Sequence, residues 1–265
     1  MRLTILGSGG STGVPGVGIG WGKCDPDNPK NRRTRPSILI ENDDTAILID
    51  TSPDMREQIL RHDVTRLDAL ILTHGHADHL HGIDDIRGIN KAMSAPIDLF
   101  TNEATLKEVE KRFAYTLEPL HVDQDDPVVH YYKPVLNPRE ITGGETFSIN
   151  SIPITVMDQD HGYSRTLGFR FGPIAYTTDL VHLSDHAIEV LDGVHTWVIG
   201  APILFKHPTH IHVDGALEWI EKINPERAVI SHLGVSLDYE TLCKDLPDRV
   251  EPAYDGMVIE VESCL

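Results

Sequence analysis

The 265-residue chain has only three cysteines: Cys24, Cys243 and Cys264. They lie far apart and form no CxxC pair, which argues against a disulfide framework and fits a reducing compartment. The opening run Arg2–Leu6 has the pattern of a strand and not of a secretory signal. These features predict a cytoplasmic protein.

Long apolar runs and an excess of basic charge are also missing. No apolar segment approaches the length that spans a membrane, so no membrane partner is expected. The 23 Lys and Arg residues face 41 Asp and Glu residues, which gives a formal net charge of −18 at pH 7. Because such a surface repels phosphate polymers, a nucleic-acid polymer is an unfavourable partner. The dense basic cluster Lys30–Arg35 is interpreted either as a solvated loop or as help in holding an anionic substrate.

Short runs rich in Ile, Leu and Val are present, and helical patterns lie between some of them. Their order predicts an α/β fold with two sheets sandwiched between helices, in a single domain over residues 1–265. The predicted strands are Arg2–Leu6, Ser37–Glu41, Thr45–Asp50, Asp68–Thr73, Ile97–Phe100, Ser151–Met157, Thr166–Phe171, Ile174–Thr178, Thr196–Gly200, Ala228–Ser231 and Met257–Val261. The predicted helices are Pro53–Arg61, Glu103–Phe113, Ser184–Leu191, Val213–Ile223 and Asp238–Leu246. The segment Pro119–Pro138 is expected to be irregular and to cover the site as a lid.

The most informative segment is His74-Gly75-His76-Ala77-Asp78-His79, which follows the apolar run Leu67–Leu72. It places three imidazoles and one carboxylate within six positions. Imidazole and carboxylate bind Zn, Mn or Fe, whereas burying four such groups unpaired in a core is costly. The segment therefore predicts a site for one or two metal ions.

Three further residues of ligand type follow predicted strands: His161, Asp179 and His232. Loops at strand ends build sites on a rigid scaffold. A single histidine in such a place is more often a hydrogen-bonded structural residue, but the combination with His74–His79 favours a shared metal centre.

The glycine-rich loop Gly7–Gly13 gives only a weak signal for a dinucleotide. The fingerprint requires glycine at its sixth position, where this chain has Thr12, and Pro15 then discourages a following helix. A loop that lets the backbone approach a ligand is the preferred interpretation.

Taken together, these residues resemble the metallo-β-lactamase superfamily of metallohydrolases. Its H-x-H-x-D-H signature is matched at every position, and the resemblance covers most of the chain. It implies a four-layer αββα sandwich that holds two divalent metal ions, Zn or Mn, which lower the pKa of water and clamp a transferring phosphoryl group. The resemblance implies one metal on His74, His76 and His161, a second on Asp78, His79 and His232, a bridging Asp179, and an Asp50 that orients a ligand.

Within that superfamily the chain resembles the phosphoribosyl 1,2-cyclic phosphate phosphodiesterase branch. The matching features are Gly7–Pro15, Asn31–Ser37, Gly82–Arg87, Leu237–Tyr239 and Ala253–Gly256. The resemblance implies a small anionic phosphodiester substrate, such as a cyclic ribosyl or nucleotide phosphate. It also implies a catalytic histidine just before the helix that begins near Val213.

His210 matches that catalytic position best, and His207 and His212 compete with it. Its implied role is to protonate the leaving oxygen or to stabilise the transition state, with Asp78 and Asp50 as the other catalytic residues. One departure from the branch concerns its structural zinc site. The N-terminal cysteine cluster is reduced to Cys24, and Val235 stands where the branch has a further histidine, so no structural zinc is predicted.

Other functions share parts of this pattern. They are RNA processing of the ribonuclease Z type, lactone or thioester hydrolysis, an oxygen-using relative of the pyrroloquinoline-quinone biosynthesis protein, and a non-enzymatic metal-binding module. The region His81–Asn150 has no Gly- and Lys-rich arm for gripping tRNA, which disfavours the first. A homodimer is the default oligomeric state.

Overall fold

The computed structural model describes residues 1–121 and 129–261. Within those ranges the strands form two sheets. The strands are β1 (Arg2–Gly7), β2 (Ser37–Glu41), β3 (Ala46–Ile49), β4 (Ala69–Ile71), β5 (Ile97–Thr101), β6 (Leu136–Glu140), β7 (Thr146–Ile149), β8 (Ile152–Asp160), β9 (Arg165–Phe171), β10 (Ile174–Thr177), β11 (His182–Leu183), β12 (Thr196–Gly200), β13 (Arg227–Ser231), β14 (Val250–Pro252) and β15 (Met257–Glu260). The first sheet has the order β15-β1-β2-β3-β4-β5-β6. The second has the order β11-β8-β9-β10-β12-β13-β14, with β7 paired to β8.

Helices cover the outer faces of both sheets, which confirms the predicted αββα sandwich. The α-helices of the described residues are α1 (Met55–Arg61), α2 (Ala77–Leu80), α3 (Ile86–Met93), α4 (Glu103–Phe113), α5 (Asp185–Leu191), α6 (Val213–Ile223) and α7 (Tyr239–Asp245). In β3, Ile47 and Ile49 face the core between the sheets, whereas Leu48 faces the helical layer of the first sheet. Strands buried on both faces read as continuous apolar runs, which is the pattern of the sequence.

Strands from the two ends of the described chain pair directly, since β1 lies antiparallel to β15. This pairing supports the proposal that residues 1–265 form one domain. Among the described residues, no helix is long and apolar enough to cross a membrane.

Most predicted elements are present within one or two residues of their expected bounds, but several others were missed. The unpredicted elements are β6, β7, β11, β14, α2 and α3. The interpretation of Pro119–Pro138 as irregular is wrong at its end, because Leu136–Pro138 belong to β6. That strand is an edge strand, so the missing amide hydrogen of Pro138 does not interrupt hydrogen bonding to a second neighbouring strand. Residues 122–128 of the expected lid, and Cys264, lie outside the described residues.

Helix α1 begins two residues later than expected. Asp54 stands at its N-cap, so Pro53 precedes the helix and does not occupy its first turn. By contrast, Ser184 and Asp238 cap α5 and α7 as predicted, each accepting a hydrogen bond from a backbone amide of the first turn.

Candidate metal centre

The predicted site residues lie together at one end of the β-sandwich, where several strands end. Asp50 follows β3, and the His74–His79 segment follows β4, which is parallel to β3. In the second sheet, Asp179 and His232 follow the end of β10 and of β13, which run parallel on either side of β12. His161 follows β8. Both β8 and β10 are antiparallel to β9, so β8 and β10 run in the same direction. The sandwich thus brings residues far apart in sequence to one place.

The ligand-type atoms meet in four overlapping groups, in each of which the atoms lie within 4.8 Å of one another. These groups are His74–His76–His161, His74–His79–Asp179, Asp78–His79–His232 and His161–Asp179–His210. Two of them coincide with the two triads that the family resemblance implied, and Asp179 belongs to the other two groups. Of the residues in these four groups, only His76 is exposed; His210 is partly buried, and the others are buried.

Asp50 lies behind the candidate ligands and is fully buried. Its carboxylate accepts a hydrogen bond from the Thr73 amide at 2.8 Å and lies 2.6 Å from His79 Nδ1. The Thr73 hydroxyl lies 2.9 Å from Asp50 and 3.0 Å from His74 Nδ1. Asp50 therefore fixes the ring of His79 directly and that of His74 through Thr73. Only its place next to His74 in the sequence hints at this role of Thr73.

Three site residues at strand ends have left-handed backbone conformations. Their φ angles are 65° at Asp50, 50° at Asp179 and 60° at His232. Aspartate and histidine are among the side chains that tolerate this conformation best. At each position the chain turns sharply as the strand ends, and all three side chains lie in the cluster at the sheet edge.

A model of the "Beta-lactamase superfamily domain" matches residues 45–233, which include every predicted ligand. The chain belongs to the metallo-β-lactamase superfamily. It is also similar, over 100% of its own length and 99% of the other chain, to a solved diphosphatase of the PhnP family, with 32% identity and a TM-score of 0.87. This likeness assigns the chain to the PhnP-like branch of the superfamily.

Curated relatives with other names match as well. The chain is 32% identical over 261 residues to an octanoyltransferase of Porphyromonas gingivalis, covering 97% of this chain and 51% of the relative. It is 26% identical over 136 residues to a ribonuclease Z of Methanopyrus kandleri, covering 51% of this chain and 43% of the relative. The chain thus spans about half the length, or less, of these curated relatives.

Burial and neighbouring charges set the protonation of this metallo-β-lactamase site. Burial lowers the pKa of His74 well below its ordinary value, and it also lowers the pKa of His161. Burial alone would raise the pKa of Asp179, but the imidazoles of His232 and His79 outweigh it and hold this pKa well below the usual range. Burial alone would lower the pKa values of His79 and His232, but the neighbouring carboxylates raise the pKa of His79 well above its ordinary value and raise that of His232. Neutral imidazole and ionised carboxylate are the forms that bind a divalent cation, so metal binding would release protons from these two histidines.

Several buried nitrogens at the centre have no hydrogen-bond partner of suitable geometry within the described part of the chain. They are His74 Nε2, His79 Nε2, His210 Nδ1 and both ring nitrogens of His232. Although His79 Nε2 lies 2.6 Å from Asp179 Oδ2, the two atoms do not meet the geometry of a hydrogen bond. Unsatisfied buried nitrogens are costly unless a ligand uses them, so this donor set fits divalent metal ions.

Of the three candidate histidines near α6, only His210 reaches the cluster. Its Nδ1 lies 3.0 Å from Asp179 Oδ1, and its ring centroid lies 4.8 Å from that of His161. His207 is exposed and accepts a hydrogen bond from the Thr209 amide, whereas His212 stands at the N-cap of α6. The carbonyl of Thr209 lies 2.5 Å from His161 Nδ1, a contact that no sequence pattern indicated.

The glycine-rich loop packs beside the second triad and holds no helix. The Gly10 amide donates to the carbonyl of Leu233, and a Cβ atom on Gly10 would lie 3.4 Å from the His232 carbonyl oxygen. Ser11 of this loop lines a cavity of about 400 Å³ together with His76, Asp78, His161, Tyr163, Ser164, Asp179, Thr209 and His210. We call this cavity the metal pocket.

Arg112 is a further residue that the sequence did not indicate. It extends from α4 and donates a hydrogen bond to the carbonyl of Gly75, and a second of its nitrogens lies 3.0 Å from His81 Nε2. It thereby braces the loop between His74 and His76. No local pattern in α4 singles this arginine out.

The basic cluster Lys30–Arg35 is not solvated along its whole length, and none of its residues lines the metal pocket. Arg33 is only 2% exposed and donates hydrogen bonds to the carbonyl of Leu237 and to Asn31 Oδ1. Asn31 Nδ2 in turn donates to Asp238 at 2.7 Å. We call Cys24, Asn31, Arg33, Leu237 and Asp238 the N-terminal clamp, because they tie the opening segment to the chain around α7.

Proposed function

We propose that this chain is a dinuclear metal-dependent phosphodiesterase that acts on a small anionic phosphodiester, such as a cyclic ribosyl or nucleotide phosphate. The observation that carries the proposal is the pair of triads, His74–His76–His161 and Asp78–His79–His232, with Asp179 in contact distance of both. Two triads and one shared carboxylate are what two adjacent divalent ions require.

In this proposal the two triads would hold two ions, Zn or Mn, and the carboxylate of Asp179 would be shared by both. When bound, such ions lower the pKa of water and neutralise charge on a phosphoryl group. The chain's own contribution is to orient the ligands. Asp50 keeps the Nδ1 proton of His79 engaged, so that Nε2 is directed to the cluster. Asp78 is ionised, since burial would raise its pKa but the imidazoles of His79 and His232 lower it far more.

His210 is the proposed source of the proton for the leaving oxygen. With Nδ1 directed to Asp179, its Nε2 is the nitrogen available to a substrate. The residue lines the metal pocket and keeps 19% side-chain exposure, so a substrate in the pocket would contact it. A charged imidazolium beside the reacting phosphate would also stabilise negative charge in the transition state.

Pocket size and charge favour a small diester over RNA. The metal pocket has a volume of about 400 Å³, within the usual range for small-molecule sites. The net charge of −18 opposes the binding of a phosphate polymer. The similarity to a PhnP-family diphosphatase over the full chain supports hydrolysis at a phosphoryl group. The cytoplasm is the proposed compartment, supported by the free thiols of Cys24 and Cys243, and the homodimer stays a prediction.

The direct test is a substrate panel on zinc- and manganese-loaded protein. It compares bis-(p-nitrophenyl) phosphate, adenosine 2′,3′-cyclic phosphate, a lactone, an octanoyl thioester and a pre-tRNA. We expect turnover of the two small diesters. Turnover of only the lactone, the thioester or the pre-tRNA would contradict the proposal, and so would a metal content below one ion per chain by mass spectrometry.

Two variants separate ligands from the proposed acid. His74→Ala is expected to lose metal and activity together. His210→Ala is expected to keep its metal and to lose turnover by about 10²–10⁴-fold. If His210→Ala loses metal instead, His210 is a ligand. His186→Ala, on the exposed side of α5, is the matched control and should retain metal and turnover.

A further inference from the structure

The three imidazole rings of the first triad are held to different degrees. His74 Nδ1 lies 3.0 Å from the Thr73 hydroxyl, and His161 Nδ1 lies 2.5 Å from the Thr209 carbonyl. The exposed ring of His76 lies against the rings of His74 and His161, at centroid distances of 4.5 and 5.2 Å. Among the described residues, no hydrogen bond holds that ring from behind. The position of His76 therefore depends on its backbone.

A single side chain from α4 holds the backbone just before His76. The Gly75 carbonyl accepts a hydrogen bond from the Arg112 guanidinium. The absence of a side chain at Gly75 permits this close packing, because a Cβ atom there would lie 3.1 Å from Arg112 Nη2 and 3.1 Å from Glu108 Cβ. Loss of the arginine would leave this carbonyl without its donor and the loop without its contact to α4.

The guanidinium of Arg112 is itself fixed by two further contacts. Its Nε lies 3.3 Å from Glu108 Oε2, one turn earlier on α4. Its Nη1 lies 3.0 Å from His81 Nε2. Because the guanidinium is a rigid planar fork, these two contacts also fix the direction of the nitrogen that donates to Gly75. A lysine could reach the same carbonyl, but it would lack the fork.

The second triad has supports that do not involve Arg112. The carbonyl of His79 accepts a hydrogen bond from the Thr51 amide at 2.8 Å, and its ring is engaged by Asp50 at 2.6 Å. All three of these residues are fully buried. They anchor α2 to the first sheet, so the helix keeps its place even when His81 loses its contact with the arginine.

We propose that Arg112 is a positioning residue for one of the two metal ions, the ion held by His74, His76 and His161. Through the Gly75 carbonyl it keeps the exposed imidazole of His76 at the cluster, whereas the second triad is held by buried contacts. The affinity of one ion therefore depends on α4 and that of the other does not. This inference rests on the proposed function because it requires two ions, but it does not depend on the substrate.

Zinc binding to metal-free protein, measured by competition with a chelator, tests the inference without any substrate. Arg112→Ala should weaken the binding of one ion by about 10–100-fold, as loss of a contact that supports metal ligands does, and leave the other unchanged. Arg112→Lys should show a smaller loss for the same ion, because its ammonium can still donate to Gly75. This milder variant also serves as the test if Arg112→Ala does not fold. Lys107→Ala, at the exposed ion pair with Glu103 on the same helix, is the control and should leave both affinities unchanged.

Two ligand variants identify which ion responds. His76→Ala and His232→Ala are each expected to retain one ion, so each affinity is measured alone. Adding Arg112→Ala should change nothing in His76→Ala, whereas in His232→Ala it should weaken the remaining ion by the full factor. Equal weakening of both ions, an effect that persists in His76→Ala, or loss of both ions in either ligand variant would overturn the inference.

The inference and the proposed function fail in different measurements. Equal weakening of both ions rejects only the role of Arg112. Lack of diester turnover in the substrate panel rejects the proposed function and leaves the two zinc affinities as measured. A wild-type protein that binds a single ion would reject the two-ion centre on which both depend.

Discussion

The metal centre at the strand ends and the N-terminal clamp both bury polar side chains. In the clamp, Arg33 meets the carbonyl of Leu237 at 2.7 Å, and the side chain of Asn31 has a partner on each side. Burial lowers the pKa of Arg33 and raises that of the Cys24 thiol, whose sulfur lies 3.9 Å from the Arg33 guanidinium. The clamp is thus held by the chain's own hydrogen bonds.

The metal centre leaves its polar atoms available. Five ring nitrogens there have no hydrogen bond of suitable geometry. In the clamp, among the described residues, only Arg33 Nε lacks one. The comparison shows that burial alone does not identify a site. A buried polar cluster whose members hydrogen-bond to one another is structural. A cluster whose lone pairs converge without hydrogen-bond partners is a candidate ligand-binding site.

Asp179→Asn should have the largest effect, because it removes the charge shared between the triads while preserving shape. We expect turnover of a small diester to fall by at least about 10³-fold and metal content to fall with it. Kinetics with bis-(p-nitrophenyl) phosphate and metal analysis check this. Full turnover in the variant would place the reactive centre elsewhere.

Arg33→Ala should affect stability and not metal binding. The carbonyl of Leu237 and Asn31 Oδ1 lose a buried donor, so the free energy of unfolding should fall by about 2–5 kcal/mol. Urea unfolding monitored by fluorescence measures this loss. If the folded variant has also lost its metal, the two regions are coupled and the contrast between them is wrong.

Asp50→Asn should have an intermediate effect on the metal centre. The carboxylate that engages His79 Nδ1 at 2.6 Å becomes a neutral amide, and such supporting contacts change metal affinity or activity by about 10–100-fold. Competition with a zinc chelator measures the affinity. Asp98→Asn, at the exposed ion pair with Arg139, is the control and should leave affinity unchanged.

The smallest effect concerns pH and the clamp. Burial would raise the pKa of Asp238, but hydrogen bonds from the amides of Thr241 and Asp25 and from Asn31 lower it to about 2. Because the folded pKa is below the ordinary value of 3.8, the stabilisation by Asp238 is complete above pH 3.8 and is lost as pH falls through 2. The difference in unfolding free energy between wild type and Asp238→Ala should therefore shrink over that range. A difference that stays constant would show that hydrogen bonding without charge is responsible.

Sequence patterns predicted the metal centre better than the clamp, for a physical reason. The ligand-type residues of His74–His79 lie in one segment and are of a chemical type that cores avoid, so composition and spacing indicated a metal site there. The two triads and the role of Asp179 came from the family resemblance. Arg33 looked like an ordinary exposed cation, and nothing nearby indicates that it meets Leu237 more than two hundred residues later. Arg112 and the edge strand β6 were missed for the same reason, since their roles depend on tertiary neighbours.

The left-handed backbone at Asp50, Asp179 and His232 has a consequence for engineering. Such conformations cost on the order of 1–3 kcal/mol each and persist only because the surrounding structure enforces them. Glycine would adopt the same angles freely but would carry no ligand. A glycine that relieves this strain would therefore also remove the carboxylate or imidazole that the site uses, and it would lower metal affinity or activity. A selection for stability alone would erase the site first.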